Sequence, residues 1–307
     1  MHKILLTSTS FQDTPGAHHK LLEDRGFNLV KLRGPLKEDE ILNVIDQFDG
    51  IICGDDEITR KVIQKGAKRL RVISKYGIGL DKIDLDAAKE FKIPVTNCPG
   101  INQVTVAEHV FALLLTYVKN IIPENDYVQN QQWVRLIGTE LNGKTLGVFG
   151  TGNVGKEVIK RALAFGMSVL AFDKYPNNDF ANRYNISYVE TAEELIQKSD
   201  IISLNLSLDI TTRHMFGEKA LEIMKEGVII VNTARAGLVN QGTILKGIES
   251  GKIKGYLTDV LDDEPMVKDH PFLNNKNIII TPHIGSRTYE NVVNQGTMAV
   301  ENLLKYL

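Results

Sequence analysis

The feature that most restricts the fold is a sustained alternation of short apolar runs with amphipathic helical stretches. "KILL" leads to a helix near 14–25, "FNLVKL" to one near 37–47, "GIIC" to one near 59–66 and "RVIS" to one near 84–90. Parallel strands need a crossover between them, so this alternation predicts βαβ units. The first series ends near Asn97, and a second begins at "TLGVF" (145–149). It continues through "SVLAF" (168–172), "DIISL" (200–204), "VIIV" (228–231), "GYLT" (255–258) and "NIII" (277–280). The expected fold class is α/β, with two doubly wound parallel-sheet domains. A last helix over 287–306 has no strand after it and is expected to cross back onto the first domain.

Between the two series the texture changes. Residues 102–119 read as one long helix, with Val104, Ala107, Val110, Phe111, Leu114 and Val118 at helical spacing. The following stretch, 121–143, reads as polar and irregular and carries the only tryptophan, Trp133. Such a helix and arm suit either a plain core helix or an interface with another subunit.

Composition excludes several functions. A chain of 307 residues with net charge −2 has no field to steer nucleic acid or acidic lipid. No stretch approaches the roughly 18 apolar residues of a membrane span. The start, "MHKILLTSTS", reads as a first strand and not as a signal peptide. Cys53 and Cys98 follow no metal spacing and are expected to be buried thiols. The expectation is a cytoplasmic protein without a metal, a membrane or a nucleic-acid partner.

The first strand of the second series runs into "GTGNVG", with Gly150, Gly152 and Gly155. Gly150 permits a tight turn, Gly152 admits a pyrophosphate close to the backbone, and Gly155 lets the helix over 153–165 pack on the sheet. The helix N-terminus then faces the anion. Asp173 ends the next strand, 18 residues after Gly155. A carboxylate there accepts bonds from the adenosine ribose hydroxyls and repels a 2′-phosphate, which points to NAD over NADP. Lys174 beside it is a cation that would soften this exclusion.

Three later strands each deliver an ionisable group: Arg235 after "VIIV", Asp259 and Glu264 after "GYLT", and His283 after "NIII". Ligands of open α/β sheets bind outside the carboxyl ends of the strands. Each residue has a bland alternative, and Asp262 and Asp263 compete with Glu264 for the acid role. Reduction of a 2-keto acid needs a proton for the carbonyl oxygen and a cation for the carboxylate. An imidazole supplies the first, a neighbouring carboxylate orients it, and a guanidinium supplies the second.

The segments "KYGIGLDKID", "NCPGINQVTVAEH", "LNGKTLGVFGTGNVG", "MKEGVIIVNTARAGLVN", "DVLDDEP" and "TPHIGSRT" together resemble the D-isomer-specific 2-hydroxyacid dehydrogenase family. The resemblance spans essentially the whole chain. It implies a flavodoxin-like substrate domain from 1–98 plus 286–307 and a Rossmann NAD domain over 99–285. It also implies a homodimer built on the helix and arm at about 102–140. It implies catalytic roles for Arg235, Glu264 and His283. Cofactor contacts are implied for Gly150, Gly152, Asn153, Val154, Gly155, Asp173, Thr212, Thr233, Ala234, Asp259 and Gly285. The loop Tyr76–Gly79 (Tyr76, Gly77, Ile78, Gly79) would offer backbone N–H groups to the substrate carboxylate, beside Arg235. Lys75 sits where phosphoglycerate-type members carry an arginine, which points to 3-phosphoglycerate or a related anionic substrate. The chain stops at Leu307, so the C-terminal regulatory domain of some phosphoglycerate dehydrogenases is expected to be missing. The alternatives are a glyoxylate or hydroxypyruvate reductase, and an NAD-sensing corepressor-like binding protein of the same fold.

Overall fold

The computed structural model describes residues 1–307. The chain forms two units, one of residues 1–102 and 286–307 and one of residues 103–285.

The first unit opens with β1 (Lys3–Leu6), α1 (Thr9–Asp13), α2 (Ala17–Glu23), β2 (Asn28–Lys31), α3 (Glu38–Leu42), β3 (Gly50–Cys53), α4 (Arg60–Gly66), β4 (Val72–Lys75), α5 (Leu85–Glu90) and β5 (Val95–Thr96). Its five strands are parallel, in the order β2-β1-β3-β4-β5. The helix expected near 14–25 is α2, and the short α1 before it was not expected. Pro15 disfavours helical backbone at Thr14, which is extended, and the helix restarts after Gly16.

The second unit comprises α6 (Gln103–Val118), α7 (Ile121–Gln129), β6 (Thr145–Phe149), α8 (Asn153–Ala164), β7 (Ser168–Phe172), α9 (Asn178–Tyr184), β8 (Ser187–Tyr188), α10 (Ala192–Lys198), β9 (Ile201–Leu204), α11 (Glu218–Ile223), β10 (Val228–Asn232), α12 (Gln241–Glu249), β11 (Ile253–Thr258) and β12 (Ile278–Ile280). Its seven parallel strands run β12-β11-β10-β9-β6-β7-β8. The chain then returns to the first unit as α13 (Tyr289–Leu304).

Residues 121–143 are not wholly irregular, because 121–129 form α7. Pro123 sits in the first turn, where its missing N–H costs nothing. No residue of α7 is buried, so no apolar stripe announces it. The second sheet also has one strand more than expected, since β8 is two residues long and has no apolar run.

Successive residues of a strand face opposite sides of its sheet, and so opposite cores. Leu5, Ile51 and Ile73 share one core with residues of α3, α4 and α5. Ile4, Leu6, Ile52 and Val72 share the opposite core with Leu22 of α2 and Val292, Ala299, Val300 and Leu303 of α13. In the second unit, Leu146, Val148, Ile229 and Val231 pack with α6 and α8, whereas Phe149, Ile202, Ile230 and Tyr256 pack with α10, α11 and α12. Each fully buried aliphatic or aromatic side chain contributes about 1.5–3 kcal/mol, so the two-sided cover explains the near-continuous apolar strands.

Candidate functional site

The strand order of the second unit reverses between β6 and β9. This is the switch point where open α/β sheets bind ligands, and the glycine-rich loop leaves β6 there. Gly150 has φ +85, and a Cβ on it would lie 2.6 Å from the Asn205 carbonyl oxygen. A Cβ on Gly155 would lie 2.0 Å from the Gly150 oxygen, so only glycine allows α8 to start this close to the strand. Gly152, the N-cap of α8, would project a Cβ into open space. That space lies at the N-terminus of a 12-residue helix opened by Asn153 and Val154, and a pyrophosphate fits there.

Asp173 follows β7 and braces this loop. Its Oδ2 accepts the Thr151 N–H (2.6 Å) and hydroxyl (3.0 Å), and its Oδ1 accepts the Tyr175 N–H (2.8 Å). Tyr188 of β8 adds a 2.8 Å hydroxyl contact to Thr151 that the sequence did not announce. Lys174 is exposed and sets its ammonium 5.8 Å from the Tyr175 ring centre.

At the edge of the same sheet, β10, β11 and β12 lie side by side and deliver the ionisable set. His283 Nδ1 is 2.7 Å from Glu264 Oε2. Glu264 Oε1 accepts the Leu261 N–H at 2.9 Å, which fixes the carboxylate. Glu264, and neither Asp262 nor Asp263, is thus the partner of the imidazole. With Nδ1–H donated to a carboxylate, Nε2 is left as the nitrogen that takes or gives a proton. His283 has φ +53, a left-handed conformation uncommon outside glycine.

Arg235 follows β10 with extended backbone and a half-buried side chain, and its Nη1 donates to the Ala234 carbonyl at 2.7 Å. Asn232, buried at the end of β10, shapes this turn. Its Oδ1 accepts the Ala234 N–H (3.1 Å), and its Nδ2 donates to the Arg235 carbonyl (2.9 Å). Thr233 lies half-buried in the same turn. The Thr212 hydroxyl donates to the Ser207 carbonyl at 2.8 Å and accepts the Asp209 N–H at 2.8 Å, closing its own loop.

Asp259, at the end of β11, is buried, and its carboxylate accepts Thr281 Oγ1 (2.6 Å), Ile284 N–H (2.9 Å) and Gly285 N–H (2.7 Å). A Cβ on Gly285 would lie 2.9 Å from Asp259 Oδ2, which explains the glycine.

In the first unit, Lys75 ends β4 and is almost wholly buried, 5% exposed. Its ammonium donates to the Gly54 carbonyl and to Asp55 Oδ1, each at 2.6 Å. The cation is therefore already compensated within its own unit. Tyr76 packs against Phe11, takes a 3.4 Å contact from the Ser10 hydroxyl, and burial pushes its phenol up to about 12. The Tyr76 N–H is spent on the Cys53 carbonyl, so it is not among the donors this loop can present. The Gly77 carbonyl accepts the Cys98 N–H, and the Ile78 carbonyl accepts Asn97 Nδ2. The N–H groups of Gly77, Ile78 and Gly79 are those the loop can present.

Residues 111–285 match the family model described as "D-isomer specific 2-hydroxyacid dehydrogenase, NAD binding domain". A hydroxypyruvate reductase of Thermotoga maritima is 38% identical over 278 residues, covering 89% of this chain and 89% of that protein. A D-3-phosphoglycerate dehydrogenase of Methanocaldococcus jannaschii is 37% identical across 100% of this chain, which spans only 58% of that relative's length. Among solved structures, D-lactate dehydrogenase from Aquifex aeolicus complexed with NAD and lactic acid superposes with TM-score 0.86 at 30% identity, covering 99% of this chain and 95% of that one. With the glycine loop at the switch point and the His283–Glu264 pair after β12 and β11, these matches show that the chain belongs to the D-isomer-specific 2-hydroxyacid dehydrogenase family, with an NAD-binding domain.

Proposed function

We propose that the protein is an NAD-dependent oxidoreductase that interconverts a small 2-keto acid and its D-2-hydroxy acid. The observation that carries this reading is the 2.7 Å His283–Glu264 pair, which follows β12 and β11, in the same run of strands as β10, after which Arg235 stands. Bound NADH would supply the hydride, held by the 150–155 loop and by Asp173. Arg235 would bind the substrate carboxylate and draw charge toward the reacting carbonyl oxygen. His283 Nε2 would donate the proton to that oxygen in reduction and accept it in oxidation. Glu264 favours the imidazolium and holds the ring in one orientation.

For the substrate, the compensation of Lys75 by Asp55 favours a compact monoanionic 2-keto acid such as glyoxylate or hydroxypyruvate. A phosphorylated substrate is the second reading, supported by the cation at this position. A panel of 2-keto acids at fixed NADH tests both. The expected result is a higher kcat/KM for glyoxylate or hydroxypyruvate than for 3-phosphohydroxypyruvate; no turnover of any would remove the enzymatic reading.

We also propose a cytoplasmic homodimer. The region 121–137 exposes Ile121, Ile122 and Val128, with Trp133 78% and Ile137 97% exposed. Apolar side chains this dense along one segment suit coverage by a second copy.

A further inference from the structure

We infer that His109, on α6, is a positioning residue that holds Asp259 and the 281–285 segment in register for the nicotinamide end of the cofactor. The inference rests on the proposed role of that segment, which carries His283.

Thr281 Oγ1 lies 2.6 Å from Asp259 Oδ1, and an ionised carboxylate only accepts, so the threonine hydrogen is spent there. His109 Nε2 lies 2.9 Å from the same Thr281 oxygen. Threonine has no second hydrogen to give, so the ring must donate, and Nε2 carries a proton whether the imidazole is neutral or charged. The same Nε2 lies 3.4 Å from Asp259 Oδ1, which closes a triangle of His109, Thr281 and Asp259. His109 is 15% exposed and Asp259 3%, so water competes little for these bonds.

The remaining donors to Asp259 are the N–H groups of Ile284 and Gly285. Burial alone would push this carboxyl up. The bonds from His109, Thr281, Ile284 and Gly285 outweigh burial and hold it below the ordinary carboxylate range. The segment bearing His283 is thereby tied on both sides of that residue to one carboxylate. His109 couples this knot to α6, a 16-residue helix that packs on α8, the helix opening at the glycine loop. Without a donor at position 109, Thr281 Oγ1 would lose the bond it accepts, and Asp259 would keep Thr281, Ile284 and Gly285 but lose the tie that fixes this knot to α6.

The test separates the two ends of the cofactor by binding, without turnover. Dissociation constants for NADH and for ADP-ribose, which lacks the nicotinamide, would be measured for wild type, His109→Leu, His109→Gln and Thr281→Val. Glutamine places an N–H donor at similar reach. The expected result is that His109→Leu and Thr281→Val weaken NADH by about 2- to 13-fold, the range for the loss of one ordinary hydrogen bond, and leave ADP-ribose unchanged. His109→Gln should restore most of the NADH affinity, and the Leu/Val double variant should be no weaker than either single one. If His109→Leu fails to fold, Thr281→Val carries the same comparison. Equal changes for both ligands, no change for either, or a glutamine variant that behaves like leucine would overturn the inference. Failure of the keto-acid reading would appear separately, as absence of turnover by wild type.

Discussion

The imidazole of His283 and the carboxylate of Glu264 act across a single 2.7 Å contact, and Leu261 N–H pins the carboxylate from behind. In the proposed reaction, reduction requires a proton on Nε2 and oxidation requires its absence, so the two directions should fail at opposite ends of the pH range. Glu264→Gln removes the charge that favours the imidazolium. Reduction should then fall away at lower pH than in wild type, and oxidation should persist to lower pH. Profiles that stay in place would separate Glu264 from the proton transfer. Asp173 makes a second prediction at this scale. Asp173→Ala should raise the Michaelis constant for NADH by roughly tenfold, the loss of about one charge-assisted hydrogen bond, and narrow the preference over NADPH. Equal use of NADPH by the wild type would contradict the role given to this carboxylate.

Among the elements, those buried on both faces were legible. Val228–Asn232 is buried along its whole length, and its apolar run announces a strand. The glycine spacing announced the turn after β6, because two of those positions leave no room for a side chain. What escaped was written without apolar contrast. Helix α7 buries nothing, β8 is two residues long, and the Tyr188 contact to Thr151 joins residues 37 apart with no pattern between them. Lys75 is the instructive case. Its position at the end of β4 was legible, but its pairing with Asp55 depends on β3 and β4 being neighbours. If that pair sets the substrate charge, Asp55→Ala should raise kcat/KM for 3-phosphohydroxypyruvate several-fold relative to glyoxylate. An unchanged ratio would leave Lys75 with the sole task of joining two strand ends.

For the whole molecule, the chain spans 58% and 52% of the two phosphoglycerate dehydrogenases of Methanocaldococcus jannaschii and Archaeoglobus fulgidus that it matches. The exposed apolar segment around Trp133 and Ile137 leads to a prediction about assembly. Light scattering at micromolar concentration should give twice the 34.3 kDa chain mass, and Trp133→Glu with Ile137→Glu should shift the population toward monomer. A wild type that is monomeric throughout would return α6 and its arm to a purely internal role. In the proposed reaction the hydride passes from NADH to the keto carbon while His283 supplies the proton to the oxygen. The most direct measurement is kcat of His283→Ala with the best 2-keto acid, taken beside its dissociation constant for NADH. His283→Ala should lower kcat by about 10²–10⁴-fold and keep NADH affinity within about twofold of wild type, because the proposed cofactor anchors, Gly150–Gly155 and Asp173, are untouched. Turnover near the wild-type rate would contradict this role of His283.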